Sequence, residues 1–370
     1  MILTSIILAV MTVFFIVRAS DKIALIQTFI PEKIAVFKNV HMSGMEGEDS
    51  WELQAEEGWT SRNKRDTIFE NISGARIERH GRPLIKELSA RRLRISGRKD
   101  IEIMNKADEE KDGKQYLTAL IDFNAISNRR AKKDFATLTA DRINFNPDAK
   151  KAVIQGNAEI LKGKLKIRAE KMVIDLDKNT AAFEGRSSFS KEGSKLSSNF
   201  ATALFDSDKI NMSGSIEVIQ KNKTASSDSA VYDDSAKTIV LSSNVSAVIK
   251  KLQNMIKQKS AARVKGEEAQ KALRETTIIK CDELLLSTVN GDCTASGHVL
   301  VTQKENEAKA DKAVYSEGSE KIILTGNVYM KRKDDWVKAD RVIISVDKET
   351  FQASGSVETI FKVKKGKRSP

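Results

Sequence analysis

The groups in this sequence with the clearest chemical potential are carboxylates that recur at a fixed spacing. An acidic or amide residue returns every 29 residues, with one longer interval of 54, at Asp141, Glu170, Asn199, Asp228, Asp282, Asp311 and Asp340. Paired carboxylates can perform general acid–base catalysis, but such a pair belongs to one site and is not repeated in every unit. Asn199 fits a hydrogen-bonding role better than a requirement for charge. The series therefore predicts a strand-edge or turn feature.

The other reactive side chains lack suitable companions. His41, His80 and His298 lie in different segments, without Cys or His at metal-ligand spacing. Cys281 and Cys293 fall within one unit, but a simple hairpin would not place them opposite each other. The favoured interpretation is two small buried thiols, and a disulfide between them is the alternative. The sequence contains no Gly-rich phosphate loop or nucleophile elbow. We predict a protein without catalytic residues, metal or cofactor, and not an enzyme.

The elements that carry these residues repeat with the same period. Each unit opens with a small residue, then the acidic or amide residue and an alternating apolar run. These openings lie at Ala140, Ala169, Ser198, Ser227, Cys281, Ala310 and Ala339. The second halves begin sixteen positions later, at Gly156, Gly185, Gly214, Ser243, Gly297, Gly326 and Gly355. A period of this length indicates stacked supersecondary units, none of which can bury its apolar face alone.

Within each unit the apolar residues alternate with polar ones. Positions three and five after each opening are apolar or Ala, as in Ile143 with Phe145 and Leu284 with Leu286. Period two with one apolar face is typical of half-buried antiparallel β-structure. Turn-forming residues such as Asn290-Gly291 separate the runs. We therefore predict two to three short strands in each unit and one continuous apolar strip along the array.

Composition and charge narrow the function classes. The 370 residues contain 31% charged and 6% aromatic residues, which suits a thin, extended core. The net charge is +12, but Lys and Arg are scattered along the chain. We predict no nucleic-acid partner. A basic excess still favours anionic partners such as phosphorylated lipids or membrane surfaces.

The N-terminus carries a candidate localisation signal. Residues Ile2 to Val17 are apolar apart from Thr4, Ser5 and Thr12. As a helix this run would be about 24 Å long, short of the roughly 30 Å hydrocarbon core unless Arg18 extends towards the interface. A cleaved signal peptide is the alternative, although its start has no Lys or Arg. We predict a retained anchor, with the β-rich body on the outer side of the membrane.

The domain organisation follows from these features. Ser227 and Cys281 are separated by one period plus 25 residues, and the added stretch is rich in Lys, Gln, Ala and Glu, which favours helix. The predicted segments are a transmembrane anchor or signal (1–20), a first β-domain (21–138), repeats (139–249), a helical insertion (250–275), further repeats (276–361) and a basic tail (362–370).

The opening A-D-x-x-x-[FYI], followed by a turn and G-N-[VA]-x-[IVM] as in residues 310–330, resembles the OstA-like family of periplasmic lipopolysaccharide-transport proteins, which includes LptA and LptC. The match covers residues 139–361. The apolar N-terminal run with a looser β-domain is similar to LptC. The resemblance implies an elongated, open, taco-like β-jellyroll that carries lipid A acyl chains in an apolar groove between the inner and outer membranes. The insertion, the uncharged N-terminal tip and the basic tail depart from the family pattern.

The resemblance also implies partners and a site. The partners would be lipopolysaccharide, an inner-membrane export ABC transporter and other OstA-like proteins joined by edge-strand pairing. The location would be the periplasm, with an inner-membrane anchor. The candidate groove residues are Ile143, Phe145, Ile154, Ile174, Phe183, Phe189, Ile216, Val245, Leu286, Val299, Leu324, Val328, Val342, Ile344 and Val357. Two alternatives stay open: a scaffold with a solid core that binds protein or glycan, and a disfavoured β-helical polysaccharide-active enzyme.

Overall fold

The computed structural model describes residues 33–46, 49–61, 65–79, 81–97, 100–105, 117–122, 135–146, 148–221, 223–250, 276–303, 306–319, 321–345 and 350–360. Every regular element in these ranges is a β-strand, which confirms the predicted all-β class. Within the same ranges, no helix has the length and apolarity needed to cross a membrane. The predicted N-terminal helix, residues 251–275 of the predicted helical insertion and the basic tail lie outside the described residues.

The chain divides into two compact units. The first comprises Met1–Phe189 and Phe200–Asp208, and the second comprises Ser190–Asn199 and Lys209–Pro370. The strands that begin in the first unit are β1 (Lys33–Glu46), β2 (Asp49–Ser61), β3 (Thr67–Arg79), β4 (Arg82–Ile95), β5 (Ile101–Met104), β6 (Leu117–Asp122), β7 (Phe135–Ala140), β8 (Arg142–Asn146), β9 (Lys151–Lys162), β10 (Leu165–Asp175) and β11 (Thr180–Lys191). The predicted domain boundaries stay predictions.

The strands of the first unit pair mainly with their sequence neighbours. β1 to β4 form an antiparallel meander. β4 then pairs with β5 at one end and with β6 at the other. β9 likewise pairs with β7 and β8 along successive halves. β7 and β8 together therefore take the place of one long strand that is interrupted at Asp141.

The second unit is an antiparallel meander of longer strands. Its strands, including β12, which begins in this unit, are β12 (Ser194–Leu204), β13 (Lys209–Gln220), β14 (Lys223–Asp233), β15 (Thr238–Lys250), β16 (Thr276–Ser287), β17 (Cys293–Gln303), β18 (Asn306–Ser316), β19 (Lys321–Arg332), β20 (Asp335–Ser345), β21 (Thr350–Ser354) and β22 (Glu358–Ile360). Each 29-residue period is thus one pair of strands. The strands are longer than predicted because pairing resumes beyond an irregularity at the middle of each one.

That irregularity is a β-bulge at the predicted Gly position. Gly326 and Asn327 both have positive φ, at 75° and 48°, where the β18–β19 register shifts. A Cβ on Gly326 would collide with the Asp311 carboxylate on the neighbouring strand. Glycine is required here both for the left-handed backbone and for this close approach. The bulge divides each long strand of the second unit into two half-strands.

The insertion leaves the strand register intact. Lys250, the last residue of β15, pairs directly with Thr276, the first residue of β16. The ladder between these strands then continues to Thr238 and Ser287. The two strand ends that flank the insertion are therefore adjacent in the sheet.

The apolar residues form two continuous rows across the second unit, where the sequence predicted one strip, because the bulges divide the strands. One row runs strand by strand through Met212, Ala230, Leu241, Leu284, Ala295, Ala313, Leu324 and Val342. On the other side of the bulges a second row runs through Val218, Ala225, Ala247, Ile279, Val301, Ala308, Met330 and Val337. We call the half-strands of the second row half-sheet A and those of the first row half-sheet B.

Candidate functional site

The recurring carboxylates form hydrogen bonds across the bulges with the residue that follows the repeat glycine. We call each such contact a clasp. The Asn157 side-chain amide donates to Asp141 over 3.0 Å, and Asn327 donates to Asp311 over 2.9 Å. In the unit that opens at Cys281, His298 takes the asparagine's place and lies 2.8 Å from Asp282. The prediction of a strand-edge or turn feature is wrong in position, because Asp282 and Asp311 lie within β16 and β18, opposite the bulges. Because the same contact recurs, it is a structural part of the repeat and not an acid–base site.

The two half-sheets of the second unit face each other across an apolar interior. Ile279 and Leu284 lie on one strand, on either side of its bulge, yet both line the same small cavity. Val218 and Ala225 from half-sheet A and Leu286 from half-sheet B complete most of its apolar wall. The bulges therefore fold the sheet back on itself, so that the two apolar rows become opposite walls.

Most of the predicted groove residues of the first unit are buried. Ile143 pairs with Ile154, and Phe145 and Ile174 flank the same residue, Ala152. The Phe183 and Phe189 rings pack edge to face with centroids 5.5 Å apart. Phe145 is half-buried, and the other predicted residues of this unit are buried. The structure thus joins Ile143, Phe145, Ile154 and Ile174 in adjacent rows.

The predicted residues of the second unit divide between the two walls. Those that directly follow the two positive-φ residues of a bulge lie in half-sheet A, and the others lie in half-sheet B. The first set is Ile216, Val245, Val299 and Val328, and the second is Leu286, Leu324, Val342 and Ile344. All are buried except the half-buried Ile344. Val357, near the end of the described chain, is 46% exposed and belongs to neither set.

The interior is tightly closed at the cavity between the half-sheets. The cavity volume is about 10 Å³, which is close to the minimum for a single water molecule. Its lining changes from aliphatic side chains to Gln220 and Lys223 at the side where the strands of half-sheet A end. An acyl chain can enter here only if the half-sheets move apart.

Polar contacts hold the half-sheets together on that side, which we call the seam. The Lys223 ammonium donates to the Gly291 carbonyl and, over 2.7 Å, to Glu317. The second Glu317 oxygen accepts from Lys221, also over 2.7 Å. Burial works to raise the pKa of Glu317, but the hydrogen bonds from Lys221 and Lys223 outweigh it and the pKa is lowered. The carboxylate is therefore ionised at neutral pH.

A second set of contacts extends the seam. The Gln220 side-chain amide donates to the Ser287 carbonyl over 2.9 Å. Farther along, Asp234 accepts from Lys191 and, over 2.6 Å, from the Tyr232 hydroxyl. Burial opposes ionisation of Asp234, but these hydrogen bonds lower its pKa to about 2. Burial and the Asp234 hydrogen bond together raise the pKa of Tyr232. Lys191 and Asp234 thus stay paired as ions near neutral pH.

The thiols and metal-ligating residues behave as structural groups. Cys281 and Cys293 are free and buried, and Cys293 pairs with Leu286, five positions from Cys281. Burial raises the pKa of both thiols to about 11. Over the described ranges, no three His, Cys, Asp or Glu side chains are grouped to hold a metal ion.

Sequence reasoning found the apolar walls but missed the seam. Lys223 and Glu317 are 94 positions apart, and nothing in the 29-residue phrase distinguishes them from other surface charges. The asparagine after the repeat glycine was visible in the G-N phrase, and its fixed distance of sixteen positions from the aspartate could have revealed the clasp. The available signal was that constant spacing.

Comparison with known proteins identifies the fold family. The chain matches the family model LptA/(LptD N-terminal domain) LPS transport protein over residues 137–268 and 276–350, more than half of its length. A crystal structure of LptH, the LptA homologous periplasmic component of the lipopolysaccharide transport device from Pseudomonas aeruginosa, is similar at 14% identity and a TM-score of 0.28, over 35% of this chain and 89% of that chain. No curated protein matches the chain. The chain belongs to the LptA/LptD N-terminal domain family of LPS transport proteins.

Proposed function

We propose that this protein carries lipopolysaccharide in the periplasm and holds the acyl chains of lipid A between its two apolar walls. Moving a chain of about fourteen carbons through water costs on the order of 11 kcal/mol, so a carrier needs a continuous apolar lining. The observation that carries the proposal is the row from Met212 to Val342, which crosses the second unit in register. The alanines in that row have short side chains, so the walls need to move apart less to admit a chain.

The proposal includes a location and partners. The apolar segment 1–20 would anchor the protein in the inner membrane, where an export ABC transporter would deliver the lipid. Among the described pairings β1 contacts only β2, and β1 exposes Val36 and Phe37. Its outer edge can therefore pair with another protein of the same family and extend the apolar path. The proposed carrier function requires neither a cofactor nor a catalytic residue.

A photo-crosslinking experiment tests the lipid-carrying role. A photoreactive phenylalanine analogue is placed at Phe145, Phe183 or Leu324, and adducts are collected from irradiated cells. The matched control is Phe200, which is 59% exposed, whereas Phe183 is 1% exposed. We expect lipopolysaccharide adducts at the interior positions and none at Phe200. Protein adducts without any lipid adduct would overturn the proposal.

One observation favours a second candidate, a periplasmic scaffold with a solid core. The interior cavity of about 10 Å³ is too small for any lipid chain without separation of the half-sheets. A scaffold would use its faces and edges to bind protein or glycan and would keep the interior closed. Adducts to a protein partner at Phe200, without lipid adducts at the interior positions, would support this candidate.

A further inference from the structure

The lysines at the seam lie where an apolar chain would meet a charged headgroup. Lys223 lines the same small cavity as Val218 and Leu286, and its side chain is only 6% exposed. Its ammonium lies 5.1 Å from the centroid of the Tyr315 ring. A buried ammonium needs a charged partner, because an unpaired one is strongly disfavoured. Whatever replaces Glu317 while Lys223 stays buried must therefore be an anion.

Two lysines share one carboxylate as their hydrogen-bond acceptor at this point of the seam. One carboxylate, Glu317, accepts hydrogen bonds from two ammonium groups, those of Lys221 and Lys223. Asp292 adds a further negative charge nearby and accepts a hydrogen bond from the Glu317 backbone amide over 2.9 Å. A phosphate monoester carries about −1.5 to −2 charges at neutral pH and has three acceptor oxygens, so it matches two lysines better than one carboxylate does.

A neighbouring group also has unused hydrogen-bonding capacity. Gln220 is 5% exposed and lines the cavity beside Lys223. Its amide nitrogen bonds to the Ser287 carbonyl, but within the described part of the chain its buried Oε1 atom has no hydrogen-bond partner. A buried acceptor without a donor is destabilising, because it has lost its hydrogen bonds to water. A hydroxyl or amide hydrogen of a bound amphiphile would satisfy it.

We propose that Lys221 and Lys223 form a binding site for the phosphate group of an amphiphilic lipid, and that Glu317 occupies these lysines and keeps the seam closed until such a phosphate replaces it. The exchange leaves Lys223 paired at every stage. The released Glu317 is already 27% exposed and can turn to water. The lipid's chains then enter between the half-sheets while its phosphate stays at the rim. This inference rests on the proposed lipid-carrying function.

The test compares binding of three probes to the detergent-solubilised full chain. The probes are a diphosphorylated lipid A, the same lipid without its phosphates, and inorganic phosphate. We expect the phosphorylated lipid to bind on the order of 10- to 100-fold more tightly than the dephosphorylated one, as two charge-assisted hydrogen bonds would give. Lys223→Gln should remove most of this preference, and Lys221→Gln should reduce it.

Two further variants separate the phosphate site from the latch, which is our name for the contact of Glu317 with Lys221 and Lys223. Glu317→Gln should speed loading of the phosphorylated lipid several-fold, because one side of the latch loses its charge. Lys309→Gln is the matched control, since Lys309 pairs with Glu307 on the same strand, β18, and is 59% exposed. It should change neither the preference nor the rate. Circular dichroism and thermal melting confirm that each variant is folded, and Lys221→Gln provides the test should Lys223→Gln unfold.

The outcomes distinguish this inference from the proposed function. Equal binding of both lipids, unchanged by any seam variant, would overturn the phosphate site while leaving lipid carriage intact. Failure to bind either lipid would overturn the proposed function itself. Inorganic phosphate that binds in a Lys223-dependent manner, without any lipid binding, would assign the anion site to free phosphate and overturn the lipid latch.

Discussion

The Asn327 side-chain amide donates a hydrogen bond of 2.9 Å to the Asp311 carboxylate, sixteen positions earlier in the chain. The two residues lie on neighbouring strands and clasp the bulge at which the sheet folds back. Asn244 makes the same contact with Asp228. At the last repeat, the Ser356 amide donates to Asp340 over 3.0 Å. The fold of the sheet therefore depends on a contact that is rebuilt in successive repeats.

Removing one clasp should destabilise the protein measurably. Asn327→Ala loses the hydrogen bond to Asp311 and places alanine at a φ of 48°, so we expect a loss of about 1–2 kcal/mol in the free energy of unfolding. Asn327→Gly also loses the hydrogen bond but tolerates the backbone, so its smaller loss measures the hydrogen bond alone. Urea unfolding provides the comparison. Equal stability of all three proteins would contradict the role of the clasp.

The glycine of the bulge should be less replaceable than other glycines. Gly326→Ala adds a Cβ that collides with Asp311 at a φ of 75°, and we expect a loss of about 1–3 kcal/mol. Gly318→Ala is the control, because a Cβ there has no neighbour within 4 Å, and its effect should stay within about 0.5 kcal/mol. The measurement is again the urea midpoint. A Gly326→Ala protein as stable as Gly318→Ala would show that the bulge relaxes without difficulty.

How far the sequence predicts this structure depends on the range of the interaction. The alternation at Leu284 and Leu286 predicts their burial because each strand has only two faces. The position of Cys293 opposite Leu286 follows equally from simple hairpin register and is confirmed. Those contacts are local and periodic. The resemblance to the OstA-like family carried the prediction of the family, and the family match confirms it.

The seam is beyond such reasoning because its contacts join turns that are distant in the sequence. Lys223 reaches Gly291 only after the strands have folded back at their bulges, and the amount of twist decides which turns meet. Twist accumulates over many strands and leaves no mark on any one repeat. A basic residue in a hairpin turn is normally solvated, so Lys223 carries no sequence signal of its 6% exposure.

His298 should make one clasp sensitive to pH. Its hydrogen bond to Asp282, followed by charge attraction to the same carboxylate, raises the His298 pKa above the ordinary value of 6.5. A raised histidine pKa means that the contribution to stability is complete below the unfolded pKa and is lost as pH rises through the folded one. NMR titration of His298 should give a pKa above 6.5 in the wild type and a lower one in Asp282→Asn. Identical titrations in the two proteins would refute the contact.

The Asp234 network should produce the opposite dependence at acid pH. The pKa of Asp234 is lowered from 3.8 to about 2. The contribution of Asp234 to folding stability is therefore present above the unfolded pKa and is lost as pH falls towards 2. Because the side chain is 39% exposed, screening limits the effect to about 1 kcal/mol. Asp234→Asn should be destabilised at pH 7, and the difference should shrink below pH 3. The control Asp177→Asn removes a more exposed pair with Lys150 and should have less effect.

The two cysteines should remain reduced and unreactive in the folded protein. Burial raises both thiol pKa values to about 11, and the thiolate is the reactive form, so a maleimide should label them far more slowly than an exposed thiol. Val289→Cys, at a position 72% exposed between β16 and β17, is the positive control and should label at once. Unfolding in urea should make all three thiols react. Because Cys293 pairs with Leu286 and not with Cys281, mass spectrometry after mild oxidation should find no loss of two hydrogens. An intramolecular disulfide formed without unfolding would contradict this register.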